Sequence, residues 1–131
     1  MKLSKLVAGV ALSLFMCGVA IVNAVAQAPP QTFPADKGPA TVNVAKYPAD
    51  KQKAFKLVQE RCTKCHNFAR SLHANRFGKD AWTPVIHKMA TRPGSDVTLE
   101  EEKVILEFIV FDHDKRKAEI TKFWATQPKK N

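Results

Sequence analysis

The sequence predicts an all-α domain, and three observations carry that expectation. No stretch alternates apolar and polar residues with the period of two that a half-buried strand requires. Apolar side chains recur instead at helical spacing, in Trp82, Val85, Ile86 and Met89 and again in Val104, Ile105, Phe108 and Ile109. Thr98-Leu99-Glu100-Glu101 has the layout of a capping box, with Thr98 as N-cap and Glu101 at N3.

The chain opens with Met1-Lys2-Leu3-Ser4-Lys5, an apolar run from Leu6 to Val22, and Asn23-Ala24-Val25-Ala26. This is the arrangement of a secretory signal peptide, residues 1–26, with cleavage after Ala26. A run of about 17 residues is near the lower limit for a spanning helix, so an uncleaved membrane anchor is the alternative. Cys17 follows the bulky Leu14-Phe15-Met16, a poor match to a lipoprotein site. Residues 27–47 contain Pro29, Pro30, Pro34, Pro39 and Gly38 with few large apolar groups, and read as a Pro-rich disordered linker. Order is expected from Pro48, with Asp50 as N-cap of a helix to Arg61 whose stripe is Phe55, Leu57 and Val58.

Residues 67–79 suggest a short helix and a loop ending in Phe77-Gly78. A third helix starts at Asp80 or Thr83, Pro84 being tolerated only in its first turn, and runs to about Thr91. Pro93-Gly94-Ser95-Asp96 is a turn, and the capped helix follows it. The charged stretch from Asp112 to Lys117 either prolongs that helix on an exposed face or frays it. The domain therefore spans 48–117. In the extension, 118–131, Ile120, Phe123 and Trp124 either pack back or present an apolar patch, and the basic end from Gln127 is a loose tail.

Lys and Arg number 21 against 12 Asp and Glu, a formal charge of +9. Removing 1–26 takes away Lys2 and Lys5 and no acid, leaving +7 on a chain long enough for one core. A basic exported domain suits acidic protein partners. Nucleic acid is the other habitual partner of basic chains, but export and the lack of a nucleic-acid-binding motif argue against it. A solvated basic surface with no steering role accounts for the charge equally well.

Cys62-Thr63-Lys64-Cys65-His66 is the one stretch with specific chemistry. In C-x-x-C-H each thiol can add to a vinyl group of haem, and the adjoining histidine is placed as proximal iron ligand. The rival readings lack support in the chain. A thioredoxin-like pair would stand in a βαβ pattern, a structural zinc site needs four ligands, and a disulfide closing so short a loop adds little stability. The motif therefore implies one covalently attached haem c, with Cys62 and Cys65 as anchors and His66 on the iron.

The candidates for the opposite side of the iron are Met89, His73, His87 and His113. Met89 shares a face with Trp82, Val85 and Ile86, whereas His87 lies about 200° around the same helix. His113 stands among Asp112, Asp114 and Lys115, which suggests a solvated face, and His73 is only seven residues beyond His66. Met89 is favoured, its alternative being a gap-filler in the core. Trp82 is expected to pack on the haem, and Arg61, Arg70, Arg76 and Lys88 are candidates to pair with propionates or are plain surface charges.

A helix leading into C-x-x-C-H, then Trp82-x-x-Val85-x-x-Lys88-Met89, then a capped last helix from Thr98, resembles small class I cytochromes c. It is similar to the compact haem domains attached to some bacterial dehydrogenases and reaction centres. The resemblance covers about 48–117. It implies a compact cytochrome c-like fold, Cys62 and Cys65 as thioether anchors, and His66 and Met89 as axial ligands. It also implies first and last helices that cross through Phe55 or Val58 against Phe108 or Ile109. His66 and Met89 are only 23 positions apart, shorter than in many members, and the end from Lys115 has no counterpart.

The function implied is that of a periplasmic one-electron carrier between redox proteins, not an enzyme. No nucleophile–base pair, second haem motif or phosphate loop is present. The alternatives are a haem-based binder or sensor of a small gas, and a haem subunit of a larger oxidoreductase complex. The sequence leaves the oligomeric state open.

Overall fold

The computed structural model describes residues 33–128. The signal segment 1–26, Cys17, the first part of the linker and the last three residues of the tail lie outside them. Five helices follow in order: α1 (Ala49–Cys62), α2 (Phe68–Leu72), α3 (Lys79–Ala90), α4 (Leu99–Lys115) and α5 (Lys117–Ala125). Among the described residues there is no strand, and no helix is long and apolar enough to cross a membrane.

α4 is the axis of the domain. Its capping box forms as expected, with Thr98 accepting from the Glu101 N–H and the Glu101 carboxylate accepting from the Thr98 N–H. The stripe Ile105, Phe108 and Ile109 is buried against α1 and α3. Phe108 meets Phe55 of α1 with ring centroids 5.7 Å apart, the crossing that the resemblance implied. Phe55 also touches Phe68 of α2, at 5.8 Å, so one aromatic ring joins three helices.

Several element boundaries differ from the expectation, each for a local reason. Asp50 is not the N-cap of α1. Pro48 occupies that position, its fixed φ of −54° setting the entry, and its carbonyl accepts from the Lys51 and Gln52 N–H groups. Asp50 sits in the first turn, where its charge faces the positive end of the helix dipole. α3 begins at Lys79 because Gly78, at φ 79°, supplies a left-handed entry that other residues adopt at a cost. Pro84 therefore falls inside the helix, on an exposed face where water can serve the Asp80 carbonyl left without its usual donor.

Residues 33–47, read from composition as a disordered linker, are packed against the helices. Pro34–Lys37 form a 3₁₀ turn that buries Ala35, and Asp36 forms a bidentate pair with Arg70 of α2 at 2.8 and 2.5 Å. Val42, Val44 and Tyr47 pack on the core, and the Tyr47 hydroxyl donates to Asp112 at 2.9 Å. Composition missed this because the arm contributes little apolar area itself and is held through polar groups on α2 and α4.

The other end also packs back. Ile120 is buried, Phe123 lies against His73 at 5.3 Å, and the Trp124 indole N–H donates to the His73 carbonyl at 2.6 Å. The stretch from Asp112 to Lys117 is not an exposed or frayed end, because its Asp112, His113 and Arg116 are buried. Asp112 and Arg116 pair at 2.7 Å, and Arg116 also donates to the Leu72 carbonyl at 2.6 Å. The buried stripe of α4 continues through polar residues: Phe108, Asp112 and Arg116 are spaced by four, as are Ile109 and His113.

Candidate functional site

The C-terminal turn of α1 delivers the first site residues. Cys62 is its last residue, and the Thr63 hydroxyl donates back to the Gln59 carbonyl, which helps stop the helix. Cys65 and His66 follow in the turn before Asn67, whose side chain caps α2 by accepting from the Ala69 N–H. The two thiols are free, Cys65 exposed and Cys62 partly covered. Burial pushes the Cys62 thiol up to about 11. A nucleophilic redox cysteine is usually shifted the other way.

α3 delivers the facing wall. Trp82 is buried, fixed by its indole N–H donating to the Arg76 carbonyl at 3.0 Å, with Ile86 one turn further on. Met89 stands near the end of α3, 39 % exposed. Between α1, α3 and α4 lies an open cleft with a cavity volume of about 190 Å³. Cys62, Cys65, His66, Trp82 and Met89 all line it, with Val85, Ile105 and Ile109 supplying much of the apolar wall.

The three histidines weighed against Met89 do not line this cavity. His87 is exposed and its Nδ1 lies 3.0 Å from Glu102, outward as expected. His113 does not lie on a solvated face: it has no exposed surface, and its ring nitrogens lie 2.9 Å from the Ser71 carbonyl and 3.1 Å from the Arg76 carbonyl. His73 is sealed beneath Phe123.

Four arginines belong to the lining: Arg61, Arg70, Arg76 and Arg92. Arg61 is held by Glu101 at 2.6 Å and Arg70 by Asp36, and each arginine holds its partner's carboxyl below the ordinary range. Arg76 lies over the Trp82 ring at 5.9 Å. Arg92 was missed by sequence reasoning, and among the described residues its side chain makes no ion pair; its place just after the Met89 turn was the available signal. Lys88 is not part of the lining.

Among the described residues no three side chains of His, Cys, Asp and Glu gather into a metal-binding cluster. A haem asks for less, since the macrocycle supplies four of the iron's ligands and the protein needs only an axial group on either side. An apolar cleft, two thiols on one wall, an imidazole beside them, a thioether from α3 and guanidinium groups for two carboxylates fit such a group. Comparison with known proteins gives no matching family profile, no similar curated protein and no similar solved structure. Residues 33–128 thus form an all-α domain with an apolar, arginine-bearing cavity.

Proposed function

We propose that this chain is a monohaem c-type cytochrome, exported to the periplasm, that carries one electron at a time between larger redox proteins. The observation that supports it best is the shared cavity. Five residues singled out from the sequence, spread from position 62 to position 89, line one cleft, and the competing histidines do not. Bound there, the haem supplies an iron that alternates between ferric and ferrous states. Cys62 and Cys65 would hold it through thioether bonds, and His66 and Met89 would serve as the iron's protein ligands. A histidine–methionine pair and an apolar wall built on Trp82 both favour the reduced state. The positive net charge suits an acidic redox partner met at low salt.

The test is the intact mass of the exported protein, followed by paired ferric and ferrous spectra of it and of Met89→Ala. The expected result is one covalently added haem and a methionine-to-ferric-iron charge-transfer band that vanishes in the variant. A mature protein carrying no haem overturns the proposal. A second reading, binding of a small gas, draws on the short spacing of 23 positions between His66 and Met89, which can strain the loop that brings Met89 to the iron. Carbon monoxide binding by the ferrous wild-type protein at ordinary concentrations would favour it over electron carriage.

A further inference from the structure

His113 is the group that the site as described leaves without a use. Its imidazole is fully buried behind Trp82, packed edge-on at 4.8 Å between ring centroids and 79° between planes. Both ring nitrogens face backbone carbonyls, Nε2 on Ser71 at 2.9 Å and Nδ1 on Arg76 at 3.1 Å. Ser71, Arg76 and Trp82 all line the cavity.

A neutral imidazole has one N–H and one lone pair, and a carbonyl can only accept. The two contacts therefore cannot both be hydrogen bonds unless the ring carries two protons. The Arg76 carbonyl already accepts from the Trp82 indole, whereas the Ser71 carbonyl, in the last turn of α2, has no other donor among the described residues. The neutral ring accordingly donates from Nε2 to Ser71. That leaves the Nδ1 lone pair against the Arg76 oxygen, a position ready for a proton with its acceptor in place.

The surrounding charges largely cancel. From α4 the Asp112 carboxylate favours the imidazolium and the Arg116 guanidinium opposes it, and these two are paired with each other. From the segment between α2 and α3, Arg76 presents its carbonyl, and its guanidinium lies over Trp82. α3 contributes only the uncharged Trp82 here. Burial, the largest influence, pulls His113 below the ordinary histidine value of 6.5. A change of charge in the cavity is then well placed to decide whether the second proton binds.

We propose that His113 is a proton-binding residue linked to the electron held in the cavity, taking up one proton from solvent when the haem iron gains one electron. The inference rests on the haem reading above. The step balances: a one-electron donor protein reduces ferric to ferrous iron, and the proton forms the Nδ1–H bond that donates to the Arg76 carbonyl. Linkage makes the effect reciprocal, so the proton that the electron draws in also favours the electron. His113 is a positioning residue, acting through Trp82 and the two carbonyls rather than touching the iron.

The experiment is a pH series of redox titrations on the holoprotein and on His113→Gln, with NMR titration of the wild-type His113 ring in each oxidation state. Glutamine keeps an N–H donor and does not titrate. The wild-type reduction constant is expected to fall as pH rises, by up to tenfold per unit between the two ring midpoints, and the ferrous midpoint to be the higher. In His113→Gln this slope is expected to vanish. Equal ring midpoints in the two states, or an unchanged slope in the variant, overturn the inference and leave the haem reading standing. A mature protein without haem overturns both. The ring titration uses the wild-type protein, so it decides even if the variant does not fold.

Discussion

Replacing Asp112 by alanine tests whether the polar stretch at the end of α4 holds the domain together. Asp112 has no exposed surface, accepts two bonds from Arg116 at 2.9 and 2.7 Å, and accepts the Tyr47 hydroxyl at 2.9 Å. Removing one partner of a buried ion pair costs about 3–5 kcal/mol, because the other charge stays behind without compensation. Arg116 would keep the Leu72 carbonyl and the exposed Glu119, so the low end, about 3 kcal/mol, is expected. Tyr47→Phe removes only one donor from a carboxylate that remains paired, and about 1 kcal/mol is expected.

The two losses should not add. Once Asp112 is gone the tyrosine hydroxyl has nothing to bind there, so Tyr47→Phe should cost close to zero in the Asp112→Ala background. Urea unfolding of the four proteins, followed by circular dichroism, measures this, with the slope expected to stay constant while the midpoint moves. An Asp112→Ala loss below about 1 kcal/mol would show that water reaches Arg116 and refute the reasoning. An equal Tyr47→Phe cost in both backgrounds would refute the shared network.

Three further outcomes are expected. Gly38→Ala places a Cβ 2.6 Å from the His73 ring, which is sealed beneath Phe123, so urea unfolding should show a loss of about 1–3 kcal/mol; an unchanged midpoint would mean that the arm yields freely. Burial lowers both His73 and His113, so the unfolded chain binds more protons than the folded one below the ordinary value of 6.5. Stability should thus be complete above that pH and fall as the solution is acidified through the folded values. Equal urea midpoints at about pH 5 and 8 would contradict this. In folded protein without haem, iodoacetamide at about pH 8 should label the exposed Cys65 first and Cys62 slowly, because so raised a thiol is almost wholly protonated there. Mass spectrometry after proteolysis reads this directly, and equal rates in the folded state would place Cys62 in water.

What was legible in the sequence was whatever announces itself by local chemistry or period. The capping box at Thr98, the stripe of α4 and the apolar face of α3 follow from spacing, and C-x-x-C-H marks its own cleft. Less visible were the parts held by polar contacts between distant segments. Asp36 reaching Arg70 and Tyr47 reaching Asp112 turn a proline-rich stretch into a packed arm, and neither partner is marked locally. His113 was misjudged because its neighbours in sequence are charged, although its spacing of four from Ile109 puts it on the buried side. Of the two expected starts of α3, Asp80 lies one residue from the observed Lys79, and the later start at Thr83 fails because the left-handed Gly78 has already begun the helix.

The way α1 and α4 are joined makes the domain an unusual folding problem for a helical protein. Arg61 and Glu101 are 40 residues apart, and Tyr47 and Asp112 are 65 apart. Fast-folding helical proteins gain most of their contacts between near neighbours in the chain. Here large loops must close before those contacts reward the closure, so folding is expected to run slower than helix content alone suggests. The chain from Cys62 to Val97, which carries every lining residue before α4 except Arg61, lies inside both loops. Its path is therefore confined partly by bonds formed outside it, and a substitution at Tyr47 or Glu101 can reshape the cleft without being part of its wall.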